Sequence, residues 1–197
     1  MIALRIDDHG NLVRLQNILD QVRRPRAIMA PVGREGANVL KKHFLKKDAD
    51  EPNKLGGDRQ HFWRQVAQGV QSPVVDSAGA TVTIRINHPA IAQKVFGGEI
   101  RAKRGHDLAI PVNPDAYGRS PAIFEQETGL KLILLKQGSN LLLAAKAAAT
   151  PFLVTEYLLT PSVHQEKDPT ALPTDKEFSD AMLTRAETEL ERITNKS

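Results

Sequence analysis

The chain has no cysteine among its 197 residues. Thiol nucleophiles and thiolate metal sites are thereby excluded, and so is a small secreted fold stapled by disulfides. Aromatic residues make up 5% of the sequence, with a single tryptophan, too sparse for a stacking platform that grips single-stranded nucleic acid. No apolar run approaches the roughly 20 residues needed to span a bilayer. The opening MIALRIDDHG is too short and too charged for a secretory signal.

The familiar catalytic fingerprints are also missing. There is no Gly-x-Gly-x-x-Gly and no Gly-x-Ser-x-Gly, and neither Gly56-Gly57 nor Gly97-Gly98 is followed by the Lys-Ser/Thr of a phosphate-binding loop. Six histidines, at 9, 43, 61, 88, 106 and 164, include no pair at the i, i+4 spacing of a helical zinc site. Asp7, Asp8 and His9 are adjacent on an expected strand, where neighbours point to opposite faces, so they do not converge on a metal. Glu125 and Glu127 are two carboxylates close in sequence, a pattern that solvated surfaces also produce. The expectation is of no catalytic site, no cofactor and no metal.

What is present is a globular composition, 41% hydrophobic and 25% charged, in a chain long enough for one sizeable core. The net charge is +4, unevenly spread. Residues 165–197 hold 5 Lys/Arg against 8 Asp/Glu, leaving −3 there and +7 on the remainder. Such polarity suits head-to-tail packing of like subunits. It equally suits weak attraction to nucleic acid, or two solvated faces.

Periodicity orders the chain. MIALRID alternates as a strand, and Leu12, Leu15, Ile18, Leu19 and Val22 recur at helical spacing. A second helix is expected from about 27 to 47, with Gly33 and Gly36 each weakening it by about 1 kcal/mol relative to alanine. A short helix is expected over 60–68. From Val74 the period becomes two, and a core antiparallel sheet is expected to contain 80–87, 107–112, 130–136, 140–146 and 151–159, with Ile84 and Leu134 inside and the run Leu132 to Leu135 buried on both faces. A last helix starts after Thr174, with Glu177 completing a capping box. Consecutive strands flanked by helices make the fold class α+β: an antiparallel meander packed by N-terminal helices and a C-terminal helix. The organisation reads as a core domain over 1–164, a linker over 165–173 and a C-terminal helix over 174–197.

One stretch fits neither core nor simple turn. KVFGGEIRAKRGHDLAIP places Phe96 before Gly97-Gly98, then Arg101, Lys103, Arg104 and His106, then an apolar strand. Residues 97–107 read as an extended basic arm, suited to phosphate or to acidic groups of a neighbour.

The order of motifs resembles a known family. GGDRQHFWRQVA precedes a hairpin, INHPAIAQKVFGGEIRAKRGHDLAIPV follows it, and PFLVTEYLLTPSV comes before the last helix. His88-Pro89-Ala90, the Phe96–Gly105 arm, the Leu108–Pro111 strand and the late strand Phe152–Pro161 together resemble the phage virion morphogenesis proteins, the tail-completion and neck proteins of tailed phages. Where family members often carry an Arg-Pro pair after the late strand, this chain has TPSVHQEKDP, so the likeness does not extend to how the last helix docks. The resemblance implies a structural virion component at the neck or tail, present in the host cytoplasm during assembly. It implies a sixfold homo-oligomeric ring, contacts with a connector or stopper and with a tail tube or terminator, and loose contact with packaged DNA. Phe96, Gly97, Gly98, Arg101, Lys103, Arg104 and His106 would then be the assembly or DNA-facing residues. The alternative from charge alone is a nucleic-acid-binding protein that uses its basic face without reading sequence.

Overall fold

The structure, a computed structural model, describes Gln16, Leu19 and residues 25–52, 55–56, 60–76, 78, 81–103, 106–146 and 152–196. The expected opening strand, most of the expected 12–22 helix, and Asp7, Asp8 and His9 lie outside the described residues. The fold is α+β with antiparallel sheets, and the chain divides into two compact units.

The first unit comprises 1–47, 63–89 and 172–197. Its long helix α1 (Arg26–Asp50) starts behind Pro25, whose carbonyl accepts from the N–H groups of Ile28 and Met29 at 3.1 and 2.8 Å. Phe44 on α1 is wholly buried and stacks on Trp63 of α2 (Phe62–Gln68), ring centroids 5.9 Å apart. The buried Lys47 places its ammonium 4.9 Å over the same indole, a cation–π contact. Strands β1 (Val74–Val75) and β2 (Val82–Thr83) form a small antiparallel ladder, extended by a Val70–Ile86 bridge.

The glycines of α1 are explained by this unit. A Cβ at Gly33 would lie 2.5 Å from Val82 Cγ1 and 3.0 Å from Pro73 Cβ, and one at Gly36 would lie 3.0 Å from Ile84 Cδ1 and 3.2 Å from Phe178 Cζ. The helix gives up propensity so that the β1–β2 ladder and the last helix can approach its backbone. That helix, α5 (Asp175–Lys196), carries the expected capping box: Thr174 N–H donates to Glu177 Oε2 at 3.1 Å, and Glu177 N–H donates to Thr174 Oγ1 at 3.2 Å. Its buried Glu189 is held between Arg185 and Arg192, both at 2.7 Å. Leu190 on this helix is 41% exposed.

The second unit comprises 48–62 and 90–171. Helix α3 (Ile91–Phe96) leads into β3 (Gly98–Arg101) and β4 (Leu108–Pro111). A 3-10 turn (Pro114–Ala116) and α4 (Pro121–Thr128) follow, then β5 (Leu132–Gln137), β6 (Asn140–Lys146), β7 (Leu153–Thr160) and β8 (Ser162–Gln165). The main sheet has the order β4-β7-β6-β5, antiparallel throughout. The connection from β4 to β5 therefore passes from one edge of the sheet to the other, carrying the 3-10 turn and α4. Ala116 and Phe124 are buried there against Tyr157 and Ala145.

Two expectations are corrected. The segment 80–87 does not join the main sheet. Gln71 N–H donates to Arg85 O and Asn87 N–H to Gly69 O, both at 2.8 Å, so its partners are residues 69–75 of the first unit. The run Leu132 to Leu135 is not buried on both faces. β5 is an edge strand, and Ile133 and Leu134 are 47% and 59% exposed. The stretch read as a linker begins with Gln165, the last residue of β8.

β6 and β7 carry a bulge. The register passes from Leu143–Tyr157 to Ala144–Thr155, leaving Glu156 unopposed. Its side chain is buried, and Oε2 has no hydrogen-bond partner among the described residues. Burial raises its pKa above the ordinary 4.5, and the nearby Asp115 charge adds to this.

Two outcomes follow from these packing details. Gly33→Ala lowers stability by about 1–3 kcal/mol in chemical denaturation, because overpacking against a stiff valine and a proline outweighs the better helix former. Glu156→Gln raises the thermal midpoint at neutral pH. The folded chain holds this proton more tightly than the unfolded one, so the carboxyl costs stability above the ordinary glutamate range and none below it. The gain therefore shrinks as the pH falls toward 4.5.

Candidate assembly interface

The basic segment is built on a break between two strands. Helix α3 ends at Gly97, whose φ is 68° and whose N–H donates to Gln93 O at 2.9 Å. A Cβ at Gly97 would lie 2.7 Å from Lys167 N and 2.8 Å from Gln165 O, both backbone atoms. Glycine is thus required twice over here, for its dihedral and for the close approach. Gly98 follows at φ 117°, and Gln93 Nε2 donates to its carbonyl at 2.9 Å.

From Gly98 the chain is paired. β3 runs antiparallel to β8, Gly98 opposite Gln165 and Arg101 opposite Ser162. Ala102 N–H then donates to Pro161 O at 2.9 Å, and the pairing resumes with Leu108 opposite Thr160. β3–β4 and β7–β8 therefore pair in succession, with a break in the pairing between Ala102 and Leu108 opposite Pro161. The arm expected over 97–107 is corrected accordingly. Its first half is a strand held by a distant partner, and only its second half is an excursion. His106 N–H donates to Lys103 O at 3.4 Å across that excursion. Lys103, His106 and Asp107 are exposed, while Arg104 and Gly105 lie outside the described residues.

The electrostatics also differ from the sequence pattern. Arg101 and Glu99 lie two apart on β3, on one face of the strand. Arg101 Nε and Nη2 both donate to Glu99 Oε2, at 2.9 and 2.8 Å. The Arg101 hydrogen bond is the main cause holding the Glu99 carboxyl below its usual range, and Glu99 in turn raises Arg101. Arg101 is therefore already neutralised, and the cationic character of the excursion rests on Lys103 among the described residues. Phe96, at the end of α3, is 78% exposed. The structure thus places an exposed phenyl ring beside the glycine hinge at one end of β3 and a cationic loop at the other. Sequence reasoning missed Glu99, whose signal was its two-residue spacing from Arg101, and β8, which had no local signal.

This geometry offers a surface for contact. A histidine–carboxylate pair exists elsewhere in the unit, His61 Nδ1 lying 2.8 Å from the buried Asp48 Oδ2. No group of three or more His, Asp or Glu among the described residues could hold a metal ion. No helix among them is long and apolar enough to cross a membrane. Comparison with protein-family models, with curated proteins and with solved structures finds no match.

Gly97→Ala loosens the β3–β8 ladder. In the wild type, amide exchange is slow over 98–102 and fast over 103–107. In the variant the first stretch exchanges faster, while α5 is unchanged. Equal exchange rates across both stretches of the wild type would contradict the ladder.

Proposed function

We propose that the chain is a structural component of a tailed-phage virion, acting at the head–tail junction or in completing the tail, and that it works by assembly rather than catalysis. The observation that carries the reading is the exposed Lys103 and His106 at a break in the pairing of β3–β4 with β7–β8, with the exposed Phe96 beyond the far end of β3. A ladder of this kind holds a contact element at fixed height above a sheet. The excursion offers charge and hydrogen-bond donors through Lys103 and His106. Of the motifs that resemble virion morphogenesis proteins, the strand Leu108–Pro111 and the late strand ending at Pro161 lie on this ladder, and His88-Pro89-Ala90 precedes α3. In this reading copies of the chain form a ring, sixfold in symmetry, with connector or stopper proteins on one side and tail tube or terminator proteins on the other. The loop makes loose contact with a neighbour or with passing DNA. The chain then resides in the virion, after assembling in the host cytoplasm.

A second reading has its own support. On α1, Arg34, Lys41, Lys42 and Lys46 are all exposed, a basic helix face suited to phosphates. Binding to nucleic acid through that face would be insensitive to sequence and would fall steeply with salt.

Reversing the loop charges, with Lys103→Glu and Arg104→Glu together, separates the two. On the assembly reading the double variant folds with an unchanged thermal midpoint. It fails to support joined, infectious particles when it replaces the wild-type chain, and its binding to a random duplex stays as weak as before. Normal particle yield with the reversed loop, or particles that lack the chain altogether, would defeat the virion reading. Salt-dependent duplex binding lost on reversing Lys41 and Lys42 would favour the second.

A further inference from the structure

The two edges of the main sheet are not equivalent. Along β4, Val112 N–H donates to Glu156 O at 2.9 Å, so residues 112, 110 and 108 face β7, and Ala109 and Pro111 face outward. Proline has no N–H to offer, which blunts that edge. Along β5 the hairpin turn is Gly138-Ser139, flanked by the pair Gln137–Asn140. Gln137, Leu135 and Ile133 therefore point their backbone groups at β6, and Leu132, Leu134 and Lys136 point theirs outward. The Leu132 N–H is taken, donating to Glu125 Oε1 at 2.8 Å. The outward groups of Leu134 and Lys136, and the Leu132 carbonyl, have no partner among the described residues. The open stretch is apolar, with Ile133 and Leu134 about half exposed. An open apolar edge of this kind is a template for another strand.

We propose that the β5 edge pairs with the β5 edge of a second copy of this chain, antiparallel about a two-fold axis at Leu134. The contact goes beyond the virion reading and does not depend on it. In this register Leu134 of each copy exchanges both backbone hydrogen bonds with Leu134 of the other, and each Lys136 N–H reaches the Leu132 carbonyl of the other. The Leu134 groups, the Lys136 N–H and the Leu132 carbonyl are free, and because Glu125 holds the Leu132 N–H each 132–136 pair is made with a single backbone hydrogen bond. Ile133 lies opposite Leu135 of the second copy, apolar against apolar, and Lys131 lies opposite Gln137, so no like charges oppose each other. Lys136 of the second copy lies opposite Leu132 and so comes beside Glu125. The other oxygen of that carboxylate meets Lys131 only loosely, at 3.6 Å. Self-complementarity of backbone groups, apolar side chains and charge at one register selects a second copy over an unrelated strand. The four-stranded sheets then join into one of eight.

The lack of cysteine makes a direct test available. Leu134→Cys supplies a single thiol, and mild oxidation or a short bis-maleimide links it to its twin, while Val74→Cys, equally exposed on β1, does not link. Leu134→Lys places two ammonium groups at the axis. It keeps the wild-type thermal midpoint and halves the mass measured by light scattering, whatever other contacts the chain makes. Lys136→Glu weakens the association, and the weakening is largest at low salt. A wild-type chain that stays monomeric when concentrated overturns the proposal and leaves the edge to some other strand. So does a mass unaffected by Leu134→Lys, or linking no faster at position 134 than at position 74. Should Leu134→Lys fail to fold, the linking comparison decides alone.

Discussion

The second unit depends on the burial of Tyr157. Its ring is wholly buried and meets Phe124 edge to face, with centroids 6.0 Å apart and planes at 88°. Its hydroxyl donates to the carbonyl of Arg119 at 3.2 Å. One side chain from β7 thereby holds the middle of the crossover from β4 to β5, through the Phe124 ring and through a backbone carbonyl. Arg119 also reaches Glu127 at 2.6 Å, tying the start of the crossover to the end of α4. With the crossover lying on that face, β4 and β5 become opposite edges, and the open β5 edge follows from it.

The same strand carries the successive pairing. β7 runs through Pro161 into β8, and the two together pair with β4 and β3. Pro161 sits where the partner chain loops away. Proline has no N–H to contribute to a ladder at that point, and its carbonyl still accepts from Ala102. A ladder interrupted opposite a proline therefore accommodates an excursion without orphaned backbone groups. The bulge at Glu156 is the counterpart on the β6 side, where the extra residue turns a carboxyl inward whose Oε2 meets no donor among the described residues. The unit accepts that cost next to Tyr157, its largest fully buried side chain among the described residues.

In the first unit close approach plays the organising role. Gly33 and Gly36 lie three apart on α1, on the face that receives Val82, Ile84 and Phe178. Met29, Val32, Leu40 and Met182 complete an apolar cleft of about 410 Å³ around them. Methionine is adaptable enough to line such an irregular space.

Much of the architecture was legible from local pattern. The helical stripe of α1, the β5–β6 hairpin with its Gly-Ser turn, the β7 strand and the Thr174–Glu177 cap depend on residues a few positions apart, and local physical chemistry decides them. α4 carried its signals as well, with Ser120-Pro121 at its start and a left-handed Gly129 at its end, though its short apolar content hid it among loops. The glycine pair and the basic run marked the candidate interface. Their environment came only with the fold. Alternation of apolar residues states that a strand has a face to bury. It does not state which distant strand pairs with it, or whether the strand ends a sheet. Thus β3 became a paired strand because β8 lies beside it, and Arg101 lost its free charge because the β3 pleat aligned it with Glu99. Leu134 stayed exposed because β5 has a neighbour on one side only. Each of these outcomes is set by pairing across long stretches of chain, where the free energy comes from surfaces that meet only after folding.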